Sequence, residues 1–299
     1  MVTSSAPERL LHRLDWQVVR RLDGLLQGEY RSLFHGPGID FASLREYQPG
    51  DDVRYIDWNV TARMDTPYVR EYVEDREVTA WFLLDLTPSL DFGTVEPDRE
   101  KRTVLIDLVV TLARILTRRG NRVGAMVLGR DVEIALPARG GRPQVLRLTM
   151  DLLSRPRLAG APHTDLVPLF ETALRAIKRR SVVVIVSDFI CQPGWERPLA
   201  LLERRHELLA IRIHDPRERE LPDVGPVILG DAETGETLYV DTSDRGLRAR
   251  FAAAAATREA EVKRAFERAG VEAVELSTDE DLVRAVVRMA MLRRRRRRR

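Results

Sequence analysis

The chain has 299 residues, 44% hydrophobic and 32% charged, which suits a packed core of one or two domains with a well-solvated surface. No apolar run approaches the roughly 18 residues of a membrane span, and the opening MVTSSAPERLLHRLDW has no apolar signal core. The formal net charge is +3, but Arg293–Arg299 supplies seven positive charges, so the rest of the chain carries −4.

Residues 1–78 read as a separate N-terminal segment: two short helical stretches, then a turn-rich and aromatic-rich stretch expected to pack against the sheet domain. From residue 79 the pattern alternates strand and helix. AWFLLD (80–85) is an apolar run ending at an acid, as expected of a parallel strand buried on both faces. The spacing predicts a helix over 98–119, with Leu105, Leu108, Val109, Leu112, Ile115 and Leu116 on one face and Gly120 as its C-terminal cap. Strands at 121–129 and 131–138 come next, joined tightly as an antiparallel sheet edge. Helices are predicted near 142–154 and after Thr164-Asp165, then a second buried strand, SVVVIVSD (181–188), again ending at an acid. A helix near 195–205, a strand at 207–215, a hairpin at 227–241, a long helix over 244–269, a strand at 271–277 and a helix over 279–292 complete the pattern. The alternation predicts an α/β fold, a doubly wound, mostly parallel sheet over 79–292. Self-repulsion predicts a disordered poly-Arg tail at 293–299.

In doubly wound sheets ligands bind beyond the carboxyl ends of the strands, where the strand order reverses. Asp85 and Asp188 both end buried strands. Thr87 and Ser89 leave the first of them, and Thr164 opens a later helix. Taken singly, each is a common cap or turn former. Taken in this order, two carboxylates and three hydroxyls form a hard oxygen set suited to Mg²⁺ or Mn²⁺.

The stretches DLTPS, HTDL and SDF resemble the metal-ion-dependent adhesion site (MIDAS) of von Willebrand factor type A domains, with Thr87 in place of a serine. The resemblance implies metal ligands Asp85, Thr87, Ser89, Thr164 and Asp188, and an open coordination position filled by a partner's acidic residue. REYQPGDDVRYIDWNVTARM (45–64) and REYVEDRE (70–77) resemble the hallmark of a prokaryotic family, domain of unknown function 58, whose members join this segment to a type A domain. Such proteins are commonly encoded beside MoxR-type AAA+ ATPases. That implies an adaptor or partner role in a chaperone-like system.

Within the hallmark, Arg54, Asp57, Trp58 and Arg63 are expected to form a buried ion pair and aromatic anchor against the sheet. The five histidines show no zinc-ligand spacing, and no Walker A or dinucleotide fingerprint occurs. The one cysteine, Cys191, excludes an intramolecular disulfide and fits a cytoplasmic protein. Two function classes compete: a metal-dependent protein-interaction module, and a metal-dependent hydrolase using Asp85 and Asp188. The lack of an identifiable general base favours the first. A weaker third is non-specific polyanion contact, with nucleic acid or anionic lipid, through the arginine tail.

Overall fold

The computed structural model describes residues 5–22, 44–64, 66–70, 77–95, 99–158 and 163–297. The second part of the hallmark at 71–76, the start of the loop before Thr164 at 159–162 and the last two arginines lie outside them.

Helix α1 (Ala6–Leu14) continues through a π-helical turn, Asp15–Val19. Leu11, Leu14, Val18 and Leu22 fall at spacings of three and four residues and are buried in the same core as the main sheet. Strands β1 (Leu44–Glu46) and β2 (Tyr68–Arg70) pair antiparallel and enclose a 3₁₀ turn at Val53–Tyr55 and the short helix α2 (Trp58–Met64).

The acids of this hallmark segment have local roles. Asp51 accepts from the Gln48 N–H at 2.8 Å and pairs with Arg45 through two bonds of 2.6 and 2.7 Å, while Gly50 (φ +112°) supplies the positive φ of the Pro49-Gly50 turn. Asp52 caps the 3₁₀ turn and grips Arg54. Asp57 caps α2, accepting from the Asn59 and Val60 N–H groups at 3.0 and 3.3 Å. Among the described residues the expected buried anchor is not formed. Trp58 is 69% exposed, Arg63 is exposed and Arg54 lies against Asp52. The physical reason is that Asp57 serves as the helix cap, and α2 is too short to bury any of its own side chains.

The main sheet is built from β3 (Thr79–Asp85), β4 (Arg122–Leu128), β5 (Val132–Arg139), β6 (Val182–Ser187), β7 (Glu207–His214) and, after a separate hairpin of β8 (Pro226–Gly230) and β9 (Thr237–Asp241), β10 (Ala273–Ser277). Its order is β10-β7-β6-β3-β4-β5, parallel throughout except for the antiparallel β4–β5 edge. This is the doubly wound, mostly parallel α/β class expected. The intervening helices are α3 (Lys101–Thr117), α4 (Gly141–Ser154), α5 (Val167–Ala176), α6 (Glu196–Arg205), α7 (Arg245–Ala269) and α8 (Leu282–Arg297).

Alternation along each strand assigns its side chains to two cores. Phe82 and Leu84 pack with α1, α3, α4 and α8, whereas Leu83 packs with α5, α6 and α7. Helix α3 is buried nearly all round rather than on one face, because α1 and α4 cover the side that faces away from the sheet. Helix α8 is helical through Arg297, which differs from the disorder expected from Arg293 onward. Arginine is a good helix former, and like charges one turn apart cost roughly a few tenths of a kcal/mol per pair. Among the described residues no helix is long and apolar enough to cross a membrane.

Strand order turns back between β3 and β6. The register sets Leu84 opposite Val186, so both strands end at the same level. The loops that leave them therefore meet.

In the middle of β4, a Cβ on Gly124 would lie 2.8 Å from Trp81 Cε3 and Cζ3 and 3.0 Å from the Ala138 backbone nitrogen. Gly124→Ala should lower stability by about 1–3 kcal/mol, seen as a lower urea midpoint at an unchanged slope. An unchanged midpoint would show that the β3–β5 packing yields to the methyl group.

Candidate functional site

Asp85, the last residue of β3, has no exposed surface. Its Oδ1 accepts from the Thr87 N–H at 3.0 Å and the Thr87 hydroxyl at 2.7 Å, and its Oδ2 accepts from the Ser187 hydroxyl at 2.7 Å. Burial first, and the Asp188 charge second, raise its pKa to about 6.

Four of the five sequence-predicted residues converge here. Thr87 Oγ1 lies 2.9 Å from Thr164 Oγ1 and 3.4 Å from Ser89 Oγ. Thr164 Oγ1 in turn lies 2.5 Å from Glu233 Oε1, at the tip of the β8–β9 hairpin. Along the line Asp85–Thr87–Thr164–Glu233, three oxygen–oxygen contacts share the protons of two hydroxyls, since ionised carboxylates have none to give. The line is one proton short of a hydrogen bond at every contact. A proton on one of the acids, or a cation among the oxygens, completes it. Among the described residues no three His, Cys, Asp or Glu side chains group to hold a metal ion. A cation here would draw on the hydroxyls, as hard divalent ions readily do.

The fifth residue, Asp188, stands beside the cluster. Its Oδ2 accepts from Lys101 Nζ at 2.7 Å, and the same ammonium donates to Glu218 Oε1 at 2.5 Å. Lys101 and Asp188 side chains are each 1% exposed. Burial alone would lower the lysine pKa, but Asp188 and Glu218 raise it above its ordinary value, so it stays charged. The turn after Asp188 is held in an unusual shape. Phe189 has φ +56°, a left-handed conformation that costs a non-glycine residue on the order of 1 kcal/mol. It is kept by burial against Phe266 and Trp195, with ring centroids 4.7 and 5.3 Å away, and by its N–H donating to Ser187 Oγ at 2.9 Å.

Sequence reasoning missed four members of this constellation. Ser187 precedes Asp188 and could have been found from its place on the buried strand. Lys101, Glu218 and Glu233 reach Asp188 or Thr164 across 87, 117 (Glu218 to Lys101) and 69 positions, and no local pattern marks them. Cys191 is half-buried. Burial, reinforced by the Asp85 and Asp188 charges, pushes its thiol far above the ordinary range.

A family model described as a protein of unknown function, DUF58, matches residues 43–261. The chain belongs to the DUF58 family. An uncharacterized protein of Mycobacterium tuberculosis is 39% identical to this DUF58 chain over 285 residues, covering 95% of it and 89% of the relative. An uncharacterized protein of Mycobacterium bovis matches to the same extent. Among solved structures, BatB of Bacteroides thetaiotaomicron is 15% identical, with a TM-score of 0.48 over 73% of the DUF58 chain and 99% of BatB. These likenesses do not say what the DUF58 chain does.

Two outcomes are expected from the buried charges. Lys101→Met leaves Asp188 and Glu218 without their cation and should cost about 3–5 kcal/mol in chemical denaturation. A loss below about 1 kcal/mol would mean that water reaches the pair. For Asp85, the folded-state pKa of about 6 lies above the ordinary 3.8, so folding takes up a proton across that window and the contribution to stability falls as pH rises through it. In chelator, Asp85→Asn should therefore be more stable than the native sequence at pH 7.5, by up to about 3 kcal/mol, and lose that advantage below about pH 4. A pH-independent difference would contradict the raised pKa.

Proposed function

We propose that this DUF58 chain is a protein-interaction module. Its strand-end oxygen cluster takes one Mg²⁺ or Mn²⁺ ion and, through that ion, an acidic residue of a partner. The observation that carries the reading is the convergence of carboxylate and hydroxyl oxygens along the Asp85–Thr87–Thr164–Glu233 line, with one proton too few for its three contacts. Asp85, Thr87, Ser89 and Thr164 would hold the ion. Asp188 would contribute its charge from beside them, where Lys101 already satisfies one of its oxygens.

A divalent ion held by neutral hydroxyls keeps most of its charge, so it attracts a further carboxylate strongly. The partner we propose is a MoxR-type AAA+ ATPase, with the chain as its adaptor in a chaperone-like system. The family hallmark at Arg45–Met64 supports that choice. Its acids serve in turns, caps and ion pairs, which leaves the strand-end cluster as the place for chemistry.

Calorimetry carried to millimolar Mn²⁺ or Mg²⁺ should show one bound ion for the native sequence and none for Asp85→Ala. The complex with the ATPase should weaken about tenfold or more in excess chelator, which removes the bridging ion, and in Asp188→Ala, which removes a negative charge beside it. Equal metal binding by the native chain and Asp85→Ala would sink the site. A complex indifferent to chelator and to Asp188→Ala would sink the metal bridge.

A further inference from the structure

The β8–β9 hairpin carries an acid that neither the strand-end motif nor the family hallmark includes. Its tip is a built turn. The Asp231 carboxylate accepts from the Glu233 and Thr234 N–H groups at 2.8 and 3.0 Å, the Gly235 N–H donates to Asp231 O at 2.9 Å, and Gly235 adopts φ +74°. The Glu233 side chain on this turn is only 12% exposed. It turns inward onto the site. It accepts from the Thr164 hydroxyl at 2.5 Å and from the Thr164 N–H at 3.3 Å, and it lies 3.2 Å from His163 Nδ1.

We propose that Glu233 is an intramolecular occupant of the site, a carboxylate held on Thr164 where a partner's carboxylate has to arrive. The hairpin is then a latch. This rests on the proposed function, in which the cluster receives a cation and an external acid. The remainder of the hairpin is lightly seated. Ile228, Leu238 and Tyr239 are 63–72% exposed, and of the two strands Val240 alone is buried. Lifting the tip therefore exposes little apolar surface, and the contact at Glu233 is what holds it down. The tip's 69-residue separation from Thr164 gives it no covalent reason to be there. With a cation present, Glu233 would supply the anionic oxygen of the open position, so a partner binds by exchange of one carboxylate for another.

The test is amide hydrogen exchange at Thr164 and residues 231–236, with and without Mn²⁺, on the full chain, Glu233→Ala and Thr164→Val, beside Mn²⁺ calorimetry. Both substitutions should speed exchange across 231–236 about tenfold or more in chelator, because each removes a charge-assisted hydrogen bond. Mn²⁺ should slow exchange there in the native chain and not in Glu233→Ala, which should bind Mn²⁺ about tenfold more weakly for want of one anionic ligand. Exchange in Glu233→Ala equal to that of the native chain overturns the latch. Mn²⁺ bound equally by both, with the loop unprotected, overturns Glu233 as the internal ligand while leaving the cation site standing. Failure of the native chain to bind Mn²⁺ at all defeats the cation reading, and the exchange rates in chelator still decide the latch.

Discussion

A fully buried carboxylate at the end of a central strand is the constraint to which the surrounding structure answers. Asp85 has no exposed surface, so its hydrogen-bond partners come from the protein. Thr87 and Ser187 supply them, the first from the loop that leaves β3 and the second from the last position of β6. These residues meet because the sheet reverses its order between the two strands, which leaves a gap between the departing loops instead of a crossover helix. The oxygen-rich cluster is thus a consequence of topology joined to one unsolvated charge.

The next ring of residues fixes that arrangement. Lys101, at the start of α3, bridges Asp188 and Glu218, which ties the loops after β6 and β7 to the same helix end. Glu218 is itself placed by Asp215, which caps the short 3₁₀ turn Pro216–Glu218 and also accepts from Thr94 and Thr278. Phe189 holds a left-handed turn against two other rings. Strain of this kind persists where surrounding packing over-determines it.

The described acids of the family hallmark have local tasks. Its turn, its two caps and its Arg45–Asp51 pair stabilise a small β1–β2 unit that presents Val53, Trp58 and Met64 to solvent. The hallmark's described acids and the candidate binding residues therefore have different physical tasks: the former shape a local fold, the latter gather oxygen ligands.

The elements from β3 to β10 were legible in the sequence because each is encoded over a short window: apolar runs for the buried strands, helical spacing in α3, and a capping glycine after it. The meeting of Asp85, Thr87, Ser89 and Thr164 was legible because their order follows the strand ends, where the departing loops of this architecture converge, whereas the pairing of Asp188 with Lys101 was not. The burial of α3 on all sides was not legible, since it depends on α1 arriving from a distant part of the chain. Nor was the exposure of Trp58, whose aromatic character suggests a core position until Asp57 is seen to serve as a cap. Lys101 at Asp188 and Glu233 at Thr164 were decided by the tertiary structure alone. A charged side chain on a helix start or a hairpin tip reads as solvated in any local window, and only the fold, by closing 87 and 69 residues of chain, brings it to an opposing group where water no longer screens it.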